Sequence, residues 1–245
     1  MQRCIATANY FTTALFPVAD VPVNHRFVPS KMDPIFFPQL TKSSKSFRAQ
    51  AMKEIAAMGG KKGILGINEG LKESYEITAK VLDLKDSPAC KEKNLCAFDN
   101  YNTQLILDKG DEPRMKGSLK DATTCSDALI LQFYEEPDAK KAAFGHDITL
   151  DDWTKISKIK DVYGDVLFAA HVVAVNVAHP LLVYMRDELM DKDRKLAFLC
   201  GHDSNIASVT AAFEVEPYDL PNSIEKKTPI GCKLVVEKFE GKDGK

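Results

Sequence analysis

From residue 166 onward the chain alternates in a way that few folds accommodate. An apolar helical stretch runs through Pro180 to Met190, followed by the short apolar run "KLAFLC" (195–200), the helical stretch "SNIASVTAAF" (204–213) and the strand-like run "PIGCKLVVEKF" (229–239). Helix and buried strand in turn predict a three-layer α/β core, because a strand buried on both faces needs a helix on each side. Ligands in such cores bind at the carboxyl ends of strands. "KLAFLC" ends at Gly201, so His202 and Asp203 fall where a strand meets a helix amino terminus. Ile206, Val209 and Phe213 supply the apolar face of that helix, and Ser204 or Asn205 is available as its cap. Unpaired backbone N–H groups and the helix dipole favour an anion there, and phosphate is the natural candidate. Phosphoryl transfer asks for groups that hold the phosphoryl oxygens and an acid that protonates the departing alkoxide, roles open to His202 and Asp203. Asp203 would need a raised pKa, which an adjacent phosphate helps to supply, and an acid pH optimum follows. Position alone equally admits a second reading, in which Asp203 caps the helix and His202 packs in the turn.

The rest of the chain narrows the class. Its 245 residues suffice for one large domain or two ordinary ones with a proper core. No run of eighteen or more apolar residues is present, so no membrane-spanning helix is predicted. A formal net charge of −2 and the lack of a Lys/Arg block argue against a nucleic-acid or anionic-lipid partner. "MQRCIATANYFTTALFP" resists reading as a secretion signal, because Thr7, Asn9, Thr12 and Thr13 interrupt it and no small-residue cleavage site follows. Ile5, Ala8, Thr12 and Leu15 instead share one face of an amphipathic helix, in which the chain opens directly. In "VPVNHRFVP", Val21, Val23, His25 and Phe27 alternate as in a half-buried strand, with His25 a satisfied strand histidine, and "KMDPIFFPQL" suggests an extended crossing between subdomains.

Between residues 41 and 165 the pattern is mostly helical. Leu71, Tyr75, Thr78 and Leu82 form one stripe, and Trp153, Ile156, Ile159 and Val166 another. Between them lie the loop "KDSPACKEKNLCAF" and a Lys/Asp/Gly-rich stretch near 108–121. Residues 33–165 therefore read as an inserted helical cap, with 1–32 and 166–245 forming the core. Cys90 and Cys96 have a spacing suited to a small disulfide ring, which is favoured over two free loop thiols; a zinc site would need a second nearby ligand pair. Cys4, Cys125, Cys200 and Cys232 read as buried small hydrophobes.

"GHDSNIAS" resembles the carboxyl-terminal signature of the histidine acid phosphatases, branch 2 of the histidine phosphatase superfamily. "QRCIATANYF", "MDPIFFP", "KDSPACKEKNLC" and "TPIGCKL" are similar to the bacterial periplasmic glucose-1-phosphatase group of that family, in the same order along nearly the whole chain. The resemblance implies a phosphoglycerate-mutase-like α/β core with an inserted helical domain and a periplasmic or secreted location. It also implies two-step hydrolysis of phosphate monoesters, such as glucose 1-phosphate or phytate, through a phosphohistidine without metal or other cofactor. His202 matches the pocket histidine that hydrogen-bonds the phosphoryl oxygens, Asp203 the proton donor, and Arg3 the arginine that clamps the same oxygens. Glu135 in "LQFYEEPD" resembles a carboxylate that faces the sugar. The family's nucleophile lies in an Arg-His-Gly-x-Arg-x-Pro motif on the first core strand, and no such motif occurs here; His25, His146, His171 and His179 lack the flanking Arg and Gly in that order. The resemblance therefore implies an amino-terminally truncated member that lacks its first core strand and signal peptide and is inactive alone. A nucleophile-free pseudoenzyme that binds phosphorylated ligands through Arg3 and His202 is the alternative. A metal-dependent phosphohydrolase, with His202 and Asp203 as ligands, is disfavoured by the shortage of further His/Asp pairs.

Overall fold

The computed structural model describes residues 2–25, 33–239 and 241. The chain opens in helix α1 (Gln2–Leu15), and after the Phe36 segment come α2 (Lys45–Met58), α3 (Ile64–Glu69), α4 (Lys72–Val81) and α5 (Pro88–Lys93). Strands β1 (Gln104–Ile106) and β2 (Arg114–Lys116) form an antiparallel hairpin, with Leu105 opposite Met115. Then follow α6 (Ser118–Glu135), α7 (Ala139–Ala142), α8 (Leu150–Phe168), α9 (His171–Met190) and α10 (Asp203–Ala212).

The helical stripes expected from the sequence are the core. Trp153, Ile156, Ile159 and Val166 of α8 are all buried, as are Leu71, Tyr75 and Thr78 along α4, while Leu82 at its end is half-buried. The main apolar cluster joins α2, α4, α6, α8 and α9 through Ile55, Tyr75, Leu119, Ile159 and Val177. A second gathers Trp153 with Leu129, Ile130 and Ile224. A third joins Ala178 and Leu181 of α9 to Val209 of α10, with Phe36 and Leu199 packed against them. This last cluster fixes the start of α10, and with it the His202–Asp203 pair, on the body of the molecule. Between α8 and α9 the chain bends by 83°, and among the described residues no single helix is long and apolar enough to cross a membrane.

Helix α8 starts where its side chains satisfy the free amino-terminal N–H groups. Thr149 Oγ1 accepts the Asp152 N–H at 3.1 Å, and Asp152 Oδ2 accepts the Thr149 N–H at 2.8 Å. These bonds to Thr149 hold the Asp152 carboxyl below its usual range. Thr149→Ala should lower stability by about 1 kcal/mol, measured as a shift of the urea midpoint. Near the other end of α8, burial pushes the Asp165 carboxyl up to about 6, with Lys227 opposing and Asp161 adding to the rise. The folded chain therefore holds more protons than the unfolded chain between about pH 4 and 6, and stability falls as pH rises through that window. Asp165→Asn should flatten this decline and gain of order 1 kcal/mol at pH 7 over wild type, read from paired denaturation curves at pH 4 and 7.

Several local expectations differ from the structure. In 195–200 and 229–239 no strand forms among the described residues: 196–200 and 232–239 carry no regular secondary structure, the Cys232 N–H donates to the Pro229 carbonyl across a turn, and the β1–β2 hairpin is the sheet present. Alternating or continuous apolar character reports which faces are buried; a ladder also needs a neighbouring strand, and beside 195–200 lie α1 and Phe36 instead. Residues 21–25 likewise pair with no strand and His25 is exposed, while Phe27 lies outside the described residues. The cysteine segment is a short helix rather than a loop: Ser87 accepts the Cys90 N–H and Pro88 takes the first helical position, where its missing N–H costs nothing. Cys90 and Cys96 are joined as a disulfide. The other four cysteines are half-buried rather than fully enclosed.

Candidate active site

His202 occupies the N-cap position of α10, with extended backbone angles, and Asp203 is the first helical residue. The cap is closed from the helix side. Asn205 Oδ1 accepts the His202 N–H at 2.9 Å, and its Nδ2 donates to the Phe36 carbonyl at 2.9 Å, so this buried amide ties the turn to the "MDPIFFP" segment. The Asn205 N–H donates to the His202 carbonyl at 3.0 Å, and Asp203 Oδ1 accepts the Ser204 N–H at 2.8 Å. Asn205 thus takes a capping role.

Gly201 is required by close approach. A Cβ there would lie 2.6 Å from Asn205 Oδ1 and 2.9 Å from the Phe36 ring. Gly201→Ala should push both partners aside, costing about 1–3 kcal/mol and shifting the His202 amide resonance; an unchanged melting curve and spectrum would contradict the tight packing.

Helix α1 lies over this turn. Cys4 Sγ sits 3.6 Å from His202 Nε2 and 3.5 Å from the Gly201 carbonyl, so this thiol touches the site instead of filling a core gap. Arg3, one position earlier, is exposed, and its charge reaches His202. Burial above all, with positive charge at the start of α1 that includes Arg3, pushes the His202 pKa below its ordinary value, against the pull of Asp203. A bound phosphate dianion would oppose this shift and favour the protonated imidazole. His202 and Asp203 are adjacent at the start of α10, and Arg3, exposed one residue before Cys4, acts on His202 through its charge. Glu135, at the exposed end of α6, makes no direct contact with them among the described residues; its neighbour Tyr134 approaches Ser223 Oγ at 3.4 Å.

A groove of about 900 Å³ runs from this turn between α1 and residues 195–200. Ile5, Ala8 and Phe11 line one side and Leu196, Phe198 and Cys200 the other, with Phe11 stacked on Phe198 at a 3.9 Å centroid separation. Residues 195–200 make no backbone hydrogen bonds to other segments among the described residues.

Beyond Asp203 lies a polar cluster that sequence reasoning missed. Lys160 Nζ is 3.3 Å from Asp203 Oδ2 and 2.8 Å from Glu225 Oε1, and Glu225 is fully buried. Burial, with a contribution from the Asp203 charge, raises the pKa of Glu112; burial likewise raises that of Asp127, where Lys160 opposes it. One signal could have pointed to Lys160: it lies two helical turns after Trp153, a lysine on the apolar stripe of α8. Among the described residues no group of three or more His, Cys, Asp or Glu side chains is arranged to hold a metal ion.

No protein-family model matches the chain. Among curated proteins it is 39% identical, over an alignment of 250 positions covering 100% of the chain and 58% of the relative, to a glucose-1-phosphatase of Providencia rettgeri. It is 38% identical to the glucose-1-phosphatase of Salmonella typhimurium, covering 98% of the chain and 57% of that protein. Among solved structures, the phytase of Citrobacter braakii superposes with a TM-score of 0.78 at 21% identity, covering 94% of this chain and 59% of that one. The apo form of Hafnia alvei phytase gives 0.73 at 22% identity, covering 94% and 58%. The chain thus spans less than two thirds of the length of these relatives. Along nearly its whole length the chain is similar in sequence to bacterial glucose-1-phosphatases, and its fold is that of the corresponding part of the bacterial phytases.

Proposed function

We propose that this chain contributes the acid and phosphate-holding half of an acid phosphatase site that hydrolyses phosphate monoesters through a phosphohistidine. The observation that carries the reading is the His202–Asp203 pair at the amino terminus of α10, where Asn205 accepts the His202 N–H and Cys4 of α1, next to Arg3, lies against the imidazole. Arg3 and the protonated His202 hold the phosphoryl oxygens, and Asp203 gives a proton to the leaving oxygen as the P–O bond breaks. The nucleophilic imidazole belongs to a segment outside these 245 residues, and the groove along 195–200, with its free backbone groups, suits an extended strand that would bring it beside His202. Residues 33–165 act as the cap that faces the leaving group, with Glu135 on its sugar side. A sugar phosphate such as glucose 1-phosphate, or phytate, is the substrate class, in line with the names of the relatives. The Cys90–Cys96 disulfide supports an oxidising, periplasmic or secreted setting.

The test begins with the genomic DNA upstream of the Met1 codon, translated in frame. The 245-residue chain and the longer product are then assayed on glucose 1-phosphate and nitrophenyl phosphate at acid pH. Turnover by the longer product alone is expected, and turnover that resists Asp203→Asn on glucose 1-phosphate would overturn the role of this site. A longer product that binds inorganic phosphate through Arg3 and His202 without any turnover would establish a pseudoenzyme instead. Arg3→Ala should weaken inhibition by inorganic phosphate about tenfold or more, and unchanged inhibition would remove Arg3 from the pocket.

A further inference from the structure

Lys160 has no part in the chemistry described so far, yet it is held from several sides. Its side chain is 14% exposed, and Nζ lies 2.8 Å from Glu225 Oε1, 3.3 Å from Asp203 Oδ2 and 3.4 Å from the Thr228 carbonyl. Glu225 is fixed in its turn, since Oε2 accepts the Ile230 N–H at 3.2 Å and the side chain is fully buried. Asp203, with a half-exposed side chain, is the solvent-facing end of this series. We propose that Lys160 is a positioning residue for Asp203: pinned by Glu225, its ammonium orients the Asp203 carboxyl, stabilises the carboxylate left after proton donation, and so sets the pH above which catalysis fades.

The proposal rests on the acid role assigned to Asp203 above for its catalytic consequence, though not for its geometry. In the step concerned, the Asp203 carboxylic acid passes its proton to the bridging oxygen while the P–O bond breaks; Lys160 neither gains nor loses one. The groups around the pair pull in both directions. Glu112 from the β1–β2 connection, Asp127 from α6 and Glu225 from the carboxyl-terminal segment disfavour a further negative charge when ionised, the Cys232 thiol beside them is kept neutral by burial, and His202 on the adjoining turn favours a negative charge once protonated. Lys120 faces Glu112 and Asp127. Lys160 is the cation at ion-pair distance from Asp203. Burial works against the Lys160 ammonium, but the charges of Asp203 and Glu225, helped by Asp127, outweigh it and hold its pKa above the ordinary lysine value. The cation therefore persists at neutral and acid pH.

The experiment is a carbon-13 NMR titration of the full chain labelled at aspartate carboxyls, with the Asp203 resonance assigned by its loss in Asp203→Asn. In the double variant Lys160→Met/Glu225→Gln, which removes the ammonium without stranding its buried partner, the Asp203 midpoint should rise by about one pH unit, a tenfold change in protonated fraction. Lys160→Arg should keep the midpoint within a few tenths of wild type, and Glu225→Gln alone should not raise it. A folded double variant with an unmoved midpoint would overturn the proposal. Lys160→Gln, which retains a donor for Glu225, must show the same rise and covers a double variant that does not fold. The titration needs no turnover, so it separates this inference from the phosphatase reading: absence of hydrolysis defeats the latter and leaves the titration to decide the former. Where turnover is present, the alkaline limb of kcat/KM should move upward with the Asp203 midpoint.

Discussion

Lys160→Met on its own is expected to destabilise the fold by about 3–5 kcal/mol, whereas Lys160→Met/Glu225→Gln should cost only about 1 kcal/mol. The difference comes from what each variant leaves behind. The single change strands a carboxylate that is 0% exposed, keeping the Ile230 N–H and the Tyr134 hydroxyl as neutral partners but no cation. Such a group must recruit water, take up a proton or force the 224–230 segment away from α8, and each response costs free energy. The segment matters to the whole domain, because Ile224 packs in the cluster around Trp153 and Asp161 Oδ2 accepts the Lys226 N–H at 2.9 Å. Converting Glu225 to a neutral amide removes the orphaned charge and most of the loss. Urea denaturation of the two variants at pH 7 decides the matter; equal midpoints would show that the pair stabilises through something other than charge compensation.

Asp203→Asn should slow hydrolysis of glucose 1-phosphate by roughly 100- to 10,000-fold in the form of the protein that turns over, while nitrophenyl phosphate loses less than about tenfold. A sugar alkoxide is a poor leaving group and needs a proton as the P–O bond breaks, whereas nitrophenolate departs without one. The asymmetry between substrates is what separates an acid from a residue that merely shapes the pocket. An amide at this position keeps the size of the side chain and can still accept the Ser204 N–H, so the start of α10 should survive the change. Parallel kcat measurements on both esters provide the check. Equal losses would take Asp203 out of the acid role and leave it as part of the phosphate-binding wall.

Much of the helical framework was legible because burial along a helix leaves a periodic trace. Trp153, Ile156, Ile159 and Val166 announce the inner face of α8, and the run after Gly201 announces α10. The junction that presents His202 and Asp203 could be read for the same reason. What remained hidden depends on partners distant in the chain. Nothing near Lys160 in sequence reveals that Glu225 will neutralise it, and an asparagine after Ser204 does not disclose that its amide will reach Phe36. The runs at 195–200 and 229–239 show the other side of this limit. Apolar character marks them as strand material, but pairing is a property of two segments, and side-chain pattern in one cannot supply the other.

Those runs also determine how the chain behaves in a crowded solution. Near the carboxyl terminus Leu234, Val235, Val236 and Phe239 are all exposed, on backbone that has no ladder partner among the described residues. A short β-prone window with open N–H and C=O groups is a template on which further copies can stack in cross-β register. Lys233, Glu237 and Lys238 flank and interrupt it, placing charges where stacked copies would repel one another. The chain accordingly carries an aggregation hazard together with its own charged gatekeepers, and low ionic strength, which leaves those charges unscreened, is the condition under which it should stay dispersed.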